Sequence, residues 1–408
     1  MIKVGVIGGG PAGIVASICL KEKLHHSAEV ILFEKKKQIG KKILASGNGK
    51  CNLSNKNIPT NDTYNHHFAS LLFKKYDNQA LKDDFLRWGL LTKDDASSRT
   101  YPITESSKSV LEILMRKLKE YQVKIKLDTL VTSVNKLSNG LYEINTSTSF
   151  KPEIFDYVIF ATGGASSPQL GSNGEGYQLL KALHVLVSDI KPGLVGLKTS
   201  KNDVLGLDGI RQKVRLTLQN KFGPVFTEEG EVQFKKDGIS GIVVMNASSI
   251  IARSKEKLNL SLDLLPFRTQ DELIQTLELL KDSSPKASLN ELCYGILPMP
   301  LADKICKDLK QQKELTIGGI VNEIKNYSVN VIGNYGFETS QVTIGGVKLD
   351  EIDANFELKK IINTYVIGEL LDVDGLCGGY NLHFAIASGV MVAHTIYEKE
   401  REKNENKK

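Results

Sequence analysis

The pattern of apolar and polar positions begins with Ile2–Ile7, a run rich in β-branched residues that predicts a buried parallel strand. Glycines break the run, and from Pro11 onward small and apolar residues predict a helix. A second apolar run at 30–33 ends on Glu34. Over residues 35–55 the pattern lapses: the chain is basic, then glycine-rich, then polar, with neither a helical nor a strand period. Helical spacing returns over 71–88. Residues 99–102 read as a turn, with Ser106 or Ser107 as the cap of an amphipathic helix over 109–121. Short strands at 123–127, 131–137 and 141–146, with Ser138-Asn139-Gly140 as a hairpin turn, predict a β-meander. Residues 157–160 predict another buried strand, which ends in the small residues Ala161, Thr162, Gly163 and Gly164. After the glycine-rich stretch 171–177 a helix runs through Leu183.

The character changes near Asp189. Strand-like runs at 195–197, 214–218, 225–227 and 232–234, separated by turn residues, predict a small β-barrel or sandwich. Gly238-Ile239-Ser240-Gly241 leads into a helix, 258–265 reads as a strand, Thr269 caps a helix to Leu280, and further helices extend through Ile324. Strand character returns at 327–332, 339–344 and 364–367, the last ending in Gly368-Glu369. A turn follows, and the pair Gly378-Gly379 opens a helix at Tyr380, Asn381 and Leu382. The charged tail from Lys399 is expected to fray. This organisation predicts an α/β fold, with residues 1–188 and 336–408 as two parts of one domain and 189–335 as an inserted β-barrel and helical domain.

Gly8, Gly10 and Gly13 form a G-x-G-x-x-G between the first strand and its helix. In a dinucleotide site the first glycine permits the tight turn, the second lets backbone approach a pyrophosphate, and the third lets helix and strand pack closely. The helix N-terminus at Pro11 and Ala12 then offers unpaired N–H groups to phosphate, and Glu34 is spaced to accept hydrogen bonds from a ribose. Strand, helix and acid together predict a bound adenine dinucleotide, with FAD and NAD both open; a glycine turn without a ligand is the alternative. Lys35, Lys41, Lys42 and Lys50, with the backbone of Gly47 and Gly49, would make an anion-holding loop beside that site, running on to Asn52. Cys51 stands in a cationic neighbourhood that favours its thiolate, the alternative being a surface loop with a buried small cysteine.

Composition narrows the class. The 408 residues suggest two or three domains. A net charge of +6, on dispersed lysines, would attract a phosphorylated cofactor or acidic substrate but falls far short of a dedicated nucleic-acid binder. Five cysteines without a C-x-x-C or zinc spacing fit a reducing compartment and predict no metal. Residues 4–20 are apolar enough to imitate a signal peptide, but the glycines and Pro11 make them strand, turn and helix; no apolar run reaches membrane-spanning length, and a cytoplasmic protein is expected.

Taken together, Gly8–Gly13, the Lys41–Asn52 stretch, Ala161–Gly164, Gly238–Gly241, Thr343–Val347 and Gly368–Gly389 resemble a family of bacterial NAD(P)/FAD-dependent oxidoreductases that includes aminoacetone oxidase and bile-acid dehydro-reductases. The resemblance covers nearly the whole chain, and its Gly-Lys-Cys-Asn and Gly-Gly-Tyr-Asn-Leu stretches are its most specific parts. It implies FAD extended across a glutathione-reductase-like Rossmann domain, with the inserted domain over the flavin. It implies Glu34 at the adenosine ribose, Val131 beside the adenine, and the Lys41–Asn52 loop along pyrophosphate and flavin. It implies Gly368 and Glu369 at the ribityl and pyrophosphate region, and Gly379, Tyr380, Asn381 and Leu382 at the flavin ring. The family usually has arginine at Lys50, and often a Thr-His pair where Lys235, Lys236 and Asp237 stand. A lysine keeps the charge and loses the bidentate fork.

The expected function is an FAD-dependent oxidoreductase acting on a small organic substrate, with flavin carrying hydride or electrons. Cys51 and His383 are the weak catalytic candidates, each set against a packing role. Two modes fit: NADH or NADPH, bound transiently, loads the flavin to reduce an activated alkene, or a small amine is oxidised and O₂ reoxidises the flavin. A flavin-containing RNA-binding or redox-sensing protein is the reading from another class. No RNP-type motif or basic stripe favours it, and neither nucleic acid nor membrane is an expected partner.

Overall fold

The computed structural model describes residues 1–58, 65 and 67–406. Apolar runs without alternation build a parallel sheet, because such strands can be covered on both faces. Its strands are β1 (Ile2–Ile7), β2 (Ala28–Phe33), β3 (Lys124–Lys126), β4 (Tyr157–Phe160) and β5 (Thr364–Val366), in the order β5-β4-β1-β2-β3. Val4 pairs with Val30 on one side and Tyr157 on the other, so β1 is central and its carboxyl end points the glycine turn at the middle of the sheet edge. Helices α1 (Pro11–Leu24) and α2 (Tyr380–Glu405) pack on one another, and a Cβ at Gly389 would lie 2.6 Å from the Ala12 carbonyl oxygen, so glycine sets their approach.

Several elements differ from the sequence expectation. Residues 99–102 form a strand, not a turn, because Arg99–Pro102 pairs with both Ser54–Asn55 and Thr92–Asp94. The helical spacing over 71–88 is two helices, His67–Phe73 and Asn78–Trp88; Asp77 caps the second by accepting from Ala80 N at 2.8 Å. A five-residue helix, Lys41–Ala45, lies inside the stretch 35–55, where no helical or strand period is expected. The expected meander keeps its strands at 131–136 and 142–146, but 124–126 pairs instead with Ile31–Phe33 as β3 of the parallel sheet and Ser149–Phe155 takes its place; the hairpin turn closes as expected on Gly140 at φ 83°. The tail does not fray at Lys399, since α2 continues to Glu405. Glu400 accepts from Tyr157 Oη at 2.6 Å and Lys403 donates to the same phenol at 2.8 Å, which fastens the last turns to β4.

The chain divides into two compact units, Met1–Lys191 with Val342–Lys408, and Pro192–Gln341. The expected insertion was 189–335. Residues 189–191 stay with the first unit, next to the bonds from Ser188 N and Lys348 N to Gly346 O and Leu186 O, and residues 336–341 join the second. In the second unit seven strands pair antiparallel in the order Tyr327–Val329, Asn259–Asp263, Arg211–Asn220, Gly223–Lys235, Gly238–Ser240, Leu197–Thr199, Val331–Asn334. The outermost two are consecutive, separated by Asn330 alone, so the sheet's edges are brought together as a barrel. The runs at 225–227 and 232–234 prove to be one strand, held in register against Arg211–Asn220. Helices follow, the first of the later group capped by a Thr269–Glu272 box. Among the described residues no helix is long and apolar enough to cross a membrane.

Candidate functional site

The glycine turn connects β1 to α1. Gly8 has φ +111°, and a Cβ there would meet the Ala161 carbonyl oxygen at 2.4 Å. A Cβ at Gly13 would lie 2.0 Å from Gly8 O, while one at Gly10 would meet nothing within 4 Å. The turn is therefore closed against the protein at Gly8 and Gly13 and open outward at Gly10. No side chain caps α1, so its first N–H groups face that opening. Glu34, at the end of β2, accepts from Gly9 N at 3.0 Å and Lys36 N at 2.8 Å, which fixes its carboxylate beside the turn with lone pairs to spare.

A cleft opens beside the turn, lined among others by Gly8, Glu34, Lys35, Val131, Thr162 and Glu175. Lys35 Nζ crosses its rim to Asn173 Oδ1 and Glu175, each at 2.5 Å. Asn173 and Glu175, in the glycine-rich stretch 171–177, are not among the expected site residues.

On the β4–β5 side of the turn, four segments far apart in sequence meet. Lys42 Nζ donates to Ser166 Oγ at 2.8 Å and Glu369 at 2.5 Å. Glu369 also accepts from Ser166 Oγ at 2.6 Å and Thr343 N at 2.9 Å, and Thr343 Oγ1 accepts from Ala165 N and Ser166 N. Ser166 joins the site only through the fold, and Thr343, in a stretch that carries the family resemblance, gains its role there. Gly163 lies at φ 72° and Gly368 at φ 67°, where strands turn into these loops.

The loop 46–52 has Gly47, Asn48, Gly49 and Cys51 all at positive φ. Asn52 Oδ1 and Thr162 Oγ1 are buried with no hydrogen-bond partner among the described residues. Lys41 is half-buried on the helix that opens the loop, and Lys50 is exposed and pairs with Glu105. Cys51 does not carry the expected thiolate: it is wholly buried, and loss of solvent pushes its thiol up to about 12, against a smaller lowering from Ser46.

The N-terminus of α2 completes the arrangement. Asn381 is occupied locally, accepting from Gly375 N and donating to Gly375 O, both at 2.8 Å. Leu382 joins Pro11, Ile43 and Cys51 around a small apolar space. Tyr380 is buried at the first turn, and a Cβ at Gly379 would lie 2.4 Å from Ser54 O and 2.6 Å from Asn52 Oδ1. His383 is fully buried. Its Nδ1 meets Ser54 Oγ at 2.8 Å and its Nε2 meets Tyr76 O at 3.0 Å, and burial pulls its pKa down to about 4, against raising contributions from Tyr76 O and Asp77. The carbonyl requires a proton on Nε2, so the ring is a neutral packing histidine with both nitrogens engaged. Among the described residues no group of His, Cys, Asp and Glu side chains could hold a metal ion.

The family described as HI0933-like protein Rossmann domain matches residues 2–395. A 3-dehydro-bile acid delta(4,6)-reductase of Clostridium scindens is 31% identical over 98% of this chain and 100% of its own. A ribosomal RNA dihydrouridine synthase of Haemophilus influenzae is 28% identical over 96% of this chain and 97% of its own. Among solved structures, a 3-ketosteroid delta1-dehydrogenase from Sterolibacterium denitrificans superposes with a TM-score of 0.53 at 12% identity, covering 98% of this chain and 100% of that one, a likeness of fold.

Proposed function

This chain belongs to the HI0933-like Rossmann family, and from that premise we propose that it is an FAD-dependent oxidoreductase that reduces a carbon–carbon double bond conjugated to a carbonyl. The observation that carries the cofactor is the split of the site about an outward-open Gly10. A cleft for an adenosine half lies toward β2, and a polar cluster of Lys42, Ser166 and Glu369 lies toward β4 and β5. Strands sit about 4.8 Å apart, so three strand spacings separate the two ends, a span suited to an extended dinucleotide. Asn52 Oδ1 and Thr162 Oγ1 also fit a bound polar group, because buried oxygens without partners are costly in an otherwise satisfied interior.

In this reading Gly8, Gly10, Gly13 and the α1 N-terminus, with Pro11 and Ala12 in its first turn, hold the pyrophosphate. Glu34 accepts from the ribose, and Val131 packs on the adenine. Lys42 and Glu369, fixed by Ser166 and Thr343, orient the ribityl side, while Gly379 to Leu382 aim the N-terminus of α2 at the pyrimidine edge of the ring. Bound FAD would supply hydride transfer from a reduced nicotinamide to the substrate, and solvent would supply the proton that completes saturation of the bond. The residues around Cys51 exclude water, and neither Cys51 nor His383 releases a proton near neutral pH, one held as a thiol and the other as neutral imidazole.

The choice of an alkene rests on the two relatives' names. A 3-dehydro bile acid with a Δ4 bond and a uridine both carry C=C conjugated to C=O, and both named reactions saturate such a bond. The test is anaerobic. The purified protein should take up FAD, bleach with NADH or NADPH, and regain its colour with a 4,6-dien-3-one steroid or with ribosomal RNA, which would gain 2 Da at a uridine. Bleaching by small amines instead would select the oxidase mode, and failure to take up FAD would overturn the proposal.

A further inference from the structure

The loop 46–52 is bordered by the small sheet of Ser54–Asn55, Thr92–Asp94 and Arg99–Pro102. An ideal Cβ on Gly47 would lie 3.6 Å from the Tyr101 ring, so the ring packs directly on that loop. Lys93 stands opposite Tyr101 in the strand register, and strand alternation puts Arg99 on the same face. A turn closed by Glu105 N to Pro102 O brings Glu105 back over this face. There its carboxylate spans two ammonium groups, Oε2 to Lys50 Nζ at 2.7 Å and Oε1 to Lys93 Nζ at 2.6 Å.

Three features set this triad apart from an ordinary surface pair. One carboxylate serves two lysines that reach it from different segments. Glu105 does so from a backbone at φ 48°, a conformation that disfavours a non-glycine residue. All three side chains are about half exposed, so the pairs are held only weakly and can be exchanged for another anion. The two lysines also hold the Glu105 carboxyl down at about 2, so at neutral pH it is a permanent anion lying between two cations. We propose that Lys50 and Lys93 form an oxyanion site for a phosphate group of the substrate or co-substrate, and that Glu105 is its built-in counter-ion, displaced when the phosphate arrives. A phosphate carries more charge and more acceptor oxygens than the carboxylate it replaces, and two ammonium groups spaced to one carboxylate can share it.

Two ligands carry that phosphate: a polynucleotide and NADPH. The relation of the site to catalysis rests on the proposed cofactor loop; its anion affinity does not. The test uses FAD-loaded full-length protein. Fluorescence anisotropy reads binding of a labelled uridine-rich single-stranded RNA dodecamer, and stopped-flow bleaching reads apparent affinity for NADPH and for NADH. Lys93→Ala should weaken one of the two phosphate ligands at least fivefold and flatten its salt slope by about one. Lys93→Arg should restore binding, and Glu105→Gln, which removes the competing anion, should tighten it. Lys151→Ala, an exposed lysine elsewhere, is the charge control. An effect confined to RNA identifies the polynucleotide as the source, and one on NADPH but not NADH identifies the nicotinamide phosphate. Lys93→Ala within twofold of wild type for both ligands, or Lys151→Ala losing as much, would overturn the site. Failure to retain FAD would strike the proposed function instead, and RNA binding by the same protein would still report on the triad.

Discussion

His383 has one ring nitrogen on a serine hydroxyl and the other on a backbone carbonyl, at zero exposure, and this determines what pH does to the fold. In the unfolded chain the imidazole takes up a proton near 6.5, and in the folded one only near 4. Between those values the unfolded state binds more protons. Stability is therefore full above about pH 6.5 and falls as the pH drops toward 4, by an amount of order 3 kcal/mol. His383→Leu should be less stable at pH 7.5, because Ser54 and Tyr76 lose a partner, at a cost of about 1–3 kcal/mol. Its melting temperature should also change less than wild type's between pH 6.5 and 4.5. An equally steep pH dependence in both proteins would show that the histidine is not the titrating group. Cys51 makes the complementary case. Its burial predicts no alkylation by iodoacetamide at pH 8 in the native state, while the part-exposed Cys377 is modified under the same conditions; mass spectrometry of the labelled peptides reads both. The cationic sequence around Cys51 could not reveal this, since proximity in sequence says nothing of where the thiol points.

At the level of elements, the glycine turn separates packing from ligand approach. Gly10 sits at φ −81° with open space where a Cβ would go, so Gly10→Ala is compatible with the protein's own backbone and packing. It should melt within about 1 °C of wild type yet bind FAD at least tenfold more weakly, as read by quenching of flavin fluorescence. Gly13→Ala drives a methyl to 2.0 Å from Gly8 O and should cost about 1–3 kcal/mol of stability through overpacking. A Gly10→Ala protein with unchanged FAD affinity would remove the ligand from this turn. The turn was legible in the sequence because its strand, glycines, helix and acid lie within one local unit. So were the five parallel strands' main runs and the Thr269 cap. What was not legible is non-local. The strand Arg99–Pro102 exists only through partners at 54–55 and 92–94, too short to signal pairing by themselves. Lys42 and Glu369 stand 327 residues apart: the family resemblance set both segments along one cofactor, but the direct ion pair between them appears only at the folded sheet edge.

For the molecule as a whole, the apolar residues form two separate clusters that follow the two units. One joins β1, α1, β4 and α2 through residues such as Ile14, Phe160 and Ile386, and the other joins barrel and helices through Leu216, Phe234 and Leu301. Each unit has enough residues for a core of its own, and the first is closed by a return of the chain after residue 341. The residues assigned to the cofactor all belong to that first unit. Ligand linkage then acts on one unit, because only the state that binds is stabilised, by about 2.7 kcal/mol when free FAD stands at a hundred times its dissociation constant. Calorimetry of the full chain should accordingly resolve two transitions. Adding FAD should move one upward by several degrees and leave the other within a degree. Hydrogen exchange identifies them: slowed amides in β1, α1 and β4 should accompany the ligand-sensitive transition, with Arg211–Asn220 and Met299–Gln312 unchanged. A single transition that shifts as one body would mean that the two cores unfold together, and equal slowing in both units would place part of the cofactor's grip in the barrel unit.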